Sequence, residues 1–190
     1  MKKMNFKSIF IPVLSLFIIC AVIAAALAFT NDITQDKIAQ NNEQKKTASM
    51  TVVCPDAKSF DEIVPESLYA GKDDSGNIVG YAVSTVSSAG YGGQIKVMTG
   101  IDTNGEIVAI DVFYNSDETP GLGQNTSNES FTKSFKGLTT SQDIFVDKDF
   151  SGEGQSVDSV TAATISSRAV VDAVNQACQL YEENIAGGEQ

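Results

Sequence analysis

Ile95-Lys-Val-Met-Thr-Gly-Ile-Asp-Thr-Asn-Gly-Glu-Ile-Val-Ala-Ile-Asp-Val-Phe-Tyr114 decides how this chain folds. Two runs rich in β-branched residues, 95–102 and 107–114, flank Thr103-Asn104-Gly105-Glu106. Asn-Gly between such runs is the strongest short-range hairpin signal, because a two-residue hairpin turn favours positive φ at its corners. The stretch therefore predicts two antiparallel strands. In the second, Ile107, Ala109, Asp111 and Phe113 alternate with Val108, Ile110, Val112 and Tyr114. Both sets are largely apolar, which predicts a central strand covered on both faces.

Outward from the hairpin the same texture continues. Residues 78–86 mix β-branched and aromatic side chains and predict a strand, and 144–146 a shorter one. Phe131 and Phe135 stand four apart and suit a short helix with one buried face. From Ala163 to Tyr181 the period becomes helical: Val170, Val171, Val174, Ala177, Cys178 and Tyr181 make one apolar stripe. The sum is an α+β domain over residues 50–183, a twisted, mainly antiparallel sheet with helices packed on it. A tail follows at 184–190.

Residues 9–29 are 21 in number and carry no charge. As a helix they span about 32 Å at about 1.5 Å per residue, close to a hydrocarbon core of about 30 Å. This predicts a single transmembrane helix, with a polar stalk at 30–49 beyond it. Of the 13 basic residues, Lys2, Lys3 and Lys7 precede the run, and the first of 24 acids, Asp32, follows it. The positive-inside rule puts residues 1–8 in the cytoplasm and the domain outside the cell, on the inner or plasma membrane. A cleaved signal peptide is the rival, since Ala26-Leu27-Ala28 has the A-x-A form, but its apolar run is usually only about 7–15 residues.

Composition excludes several chemistries. The chain has no His, which removes a Ser-His-Asp hydrolase and a His-ligated zinc site. Cys20, Cys54 and Cys178 are too dispersed for a thiolate metal centre, and Cys54 and Cys178 are either free or paired. The net charge of −11, concentrated beyond the anchor, repels nucleic acid. One span without intramembrane charge makes no ion path alone.

Three loops concentrate glycine and hydroxyls. Gly90-Tyr91-Gly92-Gly93 joins two strands. Glu118-Thr119-Pro120-Gly121-Leu122-Gly123 follows the 107–114 strand, and its Pro-Gly predicts a type II turn that presents Leu122 outward. Asp158-Ser-Val-Thr161-Ala162-Ala163-Thr164 opens the last helix. A helix start offers free N–H groups and the positive end of the dipole, and both favour phosphate. A threonine there either caps the helix or has its oxygen joined to that phosphate. Arg168, one turn beyond Thr164, is placed to face the same anion.

These three loops resemble the FMN-binding domain family. Asp158 to Thr164 is similar to its flavinylation motif, Glu118 to Gly123 to its ETPGLG loop, and Gly90 to Gly93 with Gly100-Ile-Asp102 to its GYGG and GID segments. The resemblance covers nearly the whole chain and lies nearest the G subunits of Rnf-type electron-transport complexes. The related C subunits of sodium-pumping NADH:quinone reductases are typically longer. It implies FMN held covalently, by a phosphoester bond to Thr164, after a flavin transferase has used FAD and Mg²⁺. It also implies contacts from Glu118, Thr119, Leu122, Gly123, Asp158, Thr161, Ala162, Ala163 and Arg168.

The implied function is an electron-carrying subunit, not an independent enzyme. Its partners would be the other subunits of a membrane complex that couples ferredoxin and NAD redox to Na⁺ or H⁺ movement. Two other readings stay open: a stand-alone surface FMN flavoprotein, and a non-redox anchored module in which Thr161 or Thr164 only caps the helix. Ala162 departs from the family's usual Gly. If its backbone takes positive φ, the methyl costs about 1 kcal/mol, and if helical, Ala is favoured.

Overall fold

The hairpin forms, and a five-stranded antiparallel sheet is built around it in the computed structural model, which describes residues 6–188. Lys2 and Lys3, on which the expected orientation rests, and the last two residues of the expected tail lie outside the described residues. The chain divides into two units, Met1–Gln44 and Lys45–Gln190. Helix α1 (Phe6–Val53) carries the apolar run in the first unit, and its last residues, Lys45–Val53, belong to the second. Phe17, Val22 and Leu27 are exposed in that run, and the helix is long and apolar enough to cross a membrane.

In the second unit the strands are β1 (Ser59–Val64), β2 (Leu68–Lys72), β3 (Ile78–Ser87), β4 (Ile95–Ile101) and β5 (Ile107–Tyr114), in that spatial order. A small parallel pair, β6 (Ile144–Val146) and β7 (Gln155–Val157), stands apart. Helix α2 (Glu129–Thr132) and the 3₁₀ turn Lys133–Phe135 carry the two phenylalanines, whose rings meet edge to face at 5.4 Å. Helix α3 (Thr164–Asn184) lies across the sheet. Its stripe of Val170, Val174 and Cys178 packs with Ile95, Val97, Ile107, Ile110 and Val112. Thr85 Oγ1 donates to the Ala173 carbonyl at 2.8 Å and Ser87 Oγ to Asp172 at 2.7 Å, which pins α3 over β3. The other sheet face meets the end of α1, where Met50 and Val53 pack against Ala82 and Met98.

Two expectations about β5 are corrected. It is an edge strand, not a central one. Its faces are nonetheless covered, by the 123–135 segment with Phe131 and Phe135 on one side and by the Lys45–Val53 end of α1 on the other, and Ser49 Oγ donates to Asp111 at 2.6 Å. Part of its edge is sealed, since Ile107 N–H donates to the Leu138 carbonyl at 2.8 Å and Gly137 N–H to the Ile107 carbonyl at 2.9 Å. Simple alternation also fails. Gly100 faces Ala109 while Ile101 faces Ile107, so Val108 is a bulge. The extra residue moves Ile107 onto the same core as Ile110 and Val112. Strands β1, β2 and β7 carry no pattern clear enough to have been read beforehand.

Cys54 and Cys178 belong to clusters on opposite faces of the sheet and are both free. Burial pushes the Cys54 thiol up to about 11, with Asp56 adding, and the Cys178 thiol up to about 12, with Glu182 adding. Thiolate is the reactive form. In the folded chain both thiols are therefore expected to resist alkylation at mildly alkaline pH and to react on denaturation, as mass-counted labelling will show.

Candidate functional site

The three loops converge at one end of the sheet, where α3 begins. Tyr91, Glu118, Thr119, Leu122, Gly123, Ala162, Ala163, Thr164, Ile165 and Ser166 line a cavity of about 560 Å³. Its walls are mixed: Tyr91, Leu122 and Ile165 expose apolar surface, while Thr164 brings a hydroxyl. Tyr91 is 71% exposed, so it stands at the rim and does not plug a gap.

Glu118 joins the loops. Only 2% exposed, it accepts a hydrogen bond from Gly92 N–H at 3.0 Å through Oε1 and from Ser166 Oγ at 2.7 Å through Oε2. The glycines around it are required by close approach. A Cβ on Gly92 would overlap the Asp117 carbonyl, and one on Gly123 would meet the Glu118 carboxylate and lie 2.7 Å from Ser166 Oγ. The turn after Pro120 is tied down by Leu122 N–H donating to the Thr119 carbonyl at 3.1 Å, and Leu122 is left 42% exposed.

The start of α3 shows what its hydroxyls do. Ala163 occupies the N-cap and no side chain caps the helix. Thr164 is the first helical residue, so it does not cap its own helix, and the plain-cap alternative is overturned for it. Ser166 serves Glu118. Ser167 Oγ accepts from Val160 N–H at 2.9 Å and donates to the Ala163 carbonyl at 3.0 Å, pinning the preceding loop. The first turn of α3, with its uncapped N–H groups and the dipole's positive end, thus borders the cavity through Thr164, Ile165 and Ser166. Ala162 has φ 59°, so the methyl does sit on a left-handed backbone.

Of the expected residues, Glu118, Thr119, Leu122, Gly123, Ala162, Ala163 and Thr164 share the cavity. Asp158 and Thr161 line a neighbouring, more polar depression together with Asn125 and Asn128, and Leu122 and Ala162 border both. Arg168 lines neither. Its Nε and Nη2 each donate to Asp149 at 2.6 Å, and this guanidinium holds the Asp149 carboxyl below the usual range. The basic group that reaches Thr164 is instead Lys148, whose Nζ donates to Oγ1 at 2.9 Å. Sixteen residues separate the two in sequence, and no spacing rule links them.

The family model for the FMN-binding domain matches residues 90–179, and that for the RnfG N-terminal region matches residues 1–53. The chain is 35% identical to the G subunit of the Na⁺-translocating ferredoxin:NAD⁺ oxidoreductase complex of Acetobacterium woodii, covering 95% of each chain. It is 32% identical to the G subunit of an ion-translocating oxidoreductase complex of Methanosarcina acetivorans, covering 90% of this chain and 93% of that one. The fold is similar to the crystal structure of the C subunit of the Na⁺-translocating NADH-quinone reductase from Parabacteroides distasonis. The TM-score is 0.50 at 23% identity, over 60% of this chain and 59% of that one.

Two substitutions check the site's energetics. Ala162→Gly is expected to raise the unfolding free energy by up to about 1 kcal/mol, since it relieves the left-handed alanine, partly offset by glycine's freedom when unfolded. Glu118→Ala strands the buried Ser166 hydroxyl and unties the GYGG loop, and is expected to lower it by about 2 kcal/mol. Urea unfolding measures both.

Proposed function

The chain belongs to the G-subunit family of Rnf-type ion-translocating oxidoreductase complexes, and on that premise we propose that it is their membrane-anchored flavoprotein relay, with FMN ester-linked to Thr164. FMN binding and electron transport follow from the family. The attachment residue is our reading of the site, and one observation carries it: Thr164 offers a hydroxyl that caps no helix, at the first position of α3, on a cavity built from all three motif loops.

The residues fit the group. A cavity of about 560 Å³ is within the range of small-ligand sites. Leu122, Tyr91 and Ile165 offer apolar surface for a flat ring, with Thr119 beside them. The first turn of α3 and Lys148 offer N–H groups and a cation for a phosphate. Bound FMN supplies storage for one or two electrons, and the protein supplies position and tuning. Glu118 holds the cavity's shape by fixing the GYGG loop to α3.

A covalent tether suits a carrier on the outer side of a membrane, where a dissociable flavin would be lost to a large volume. In this reading α1 anchors the chain with its N-terminus in the cytoplasm, and the domain faces outward. A flavin transferase using FAD and Mg²⁺ loads it, and the other subunits of the complex exchange electrons with it. The near full-length match to G-subunit chains favours this over a stand-alone surface flavoprotein.

Co-expression with a flavin transferase is expected to add the mass of one FMN, less water, to the wild-type chain and none to Thr164→Val. Intact mass and in-gel fluorescence after denaturation measure this. Modified Thr164→Val would move the acceptor elsewhere.

A further inference from the structure

The segment that follows β6 is tied to the attachment loop and α3 by three consecutive side chains. Asp147 Oδ1 accepts from Ser159 N–H at 2.9 Å. Lys148 Nζ donates to Thr164 Oγ1 at 2.9 Å. Asp149 takes both Nε and Nη2 of Arg168. The two acids fix the segment at its flanks, and the second also neutralises the nearest arginine. The middle residue is left as the cation directed at the acceptor oxygen, in a chain whose net charge is −11.

We propose that Lys148 is a positioning residue for esterification of Thr164: it aims Oγ1 and holds a positive charge where the phosphate arrives. The proposal rests on the reading of Thr164 as the attachment point. In the transfer, Thr164 Oγ1 bonds the flavin-side phosphorus of FAD. The phosphoanhydride bond breaks and AMP leaves with its electron pair. The hydroxyl proton passes to a base on the transferase, and nothing is oxidised or reduced. As an ammonium donor, Lys148 takes no proton. Its charge favours the developing negative oxygen, and afterwards it pairs with the phosphodiester, a charge-assisted contact of the stronger kind. Arg168 is not equivalent, because its fork is filled by Asp149.

Lys148 is exposed, so its replacement leaves the core intact. The test uses the full-length chain as wild type, Lys148→Met and Lys148→Arg. Each is incubated with the transferase, FAD and Mg²⁺, and intact mass is followed over time at several transferase concentrations. Lys148→Met is expected to slow modification about tenfold at saturating transferase with an unchanged thermal midpoint. Lys148→Arg is expected to recover most of that rate, which a merely structural role would not predict. Lys148→Met modified at the wild-type rate would overturn this proposal alone. Wild-type chain that gains no FMN mass would overturn the Thr164 reading and this proposal together.

Discussion

The buried carboxylate of Glu118 holds together segments that lie far apart in the chain. One oxygen receives the Gly92 backbone, 26 residues upstream, and the other receives the Ser166 hydroxyl, 48 residues downstream. Ser166 is buried, so leaving its hydroxyl without a partner would be expensive, and together the two contacts constrain loop placement. The glycines follow from it. Gly92 and Gly123 have no side chain because the space a Cβ needs is filled by Asp117, Glu118 and Ser166. The cavity is what remains between loops drawn this tightly around one acid.

The sheet makes that joint possible by fixing its ends. β4 and β5 deliver the GYGG and ETPGLG loops to one end of the sheet, and α3 is locked over β3 by Thr85 and Ser87. Asn175 adds a second lock, exchanging two hydrogen bonds with the Ile144 backbone, so the β6 segment travels with α3. Core packing on both sheet faces therefore sets the distance between the first turn of α3 and the loops it meets. The positive φ of Ala162 is local strain at this junction, where the loop must turn sharply before the helix can start.

Electrostatics at the site depend on few groups. The acids outnumber the bases almost two to one, 24 against 13. Arg168, on the helix itself, is occupied by Asp149, while Lys148 crosses from another segment to Thr164. At the start of α3 the first-turn backbone, the positive end of the helix dipole and one lysine thus come together within an acidic domain.

The sequence by itself determined the hairpin, the period of α3, the apolar anchor and the motif loops, because these are local: turn residues, side-chain spacing and hydropathy act within a few positions. It named Thr164, Glu118 and Leu122 as candidates, which the fold brings to one cavity, and it left open the backbone at Ala162 and the partners of each hydroxyl. Only the tertiary structure decided those, together with the edge position of β5, the bulge at Val108, the diversion of Arg168 to Asp149 and the arrival of Lys148 at Thr164. The strand order and the contacts of Ser166, Arg168 and Lys148 join residues distant in the chain, and the turn at Ala162 follows from the junction it must fit. No local pattern encodes which side chain meets which once the sheet has brought separate segments together.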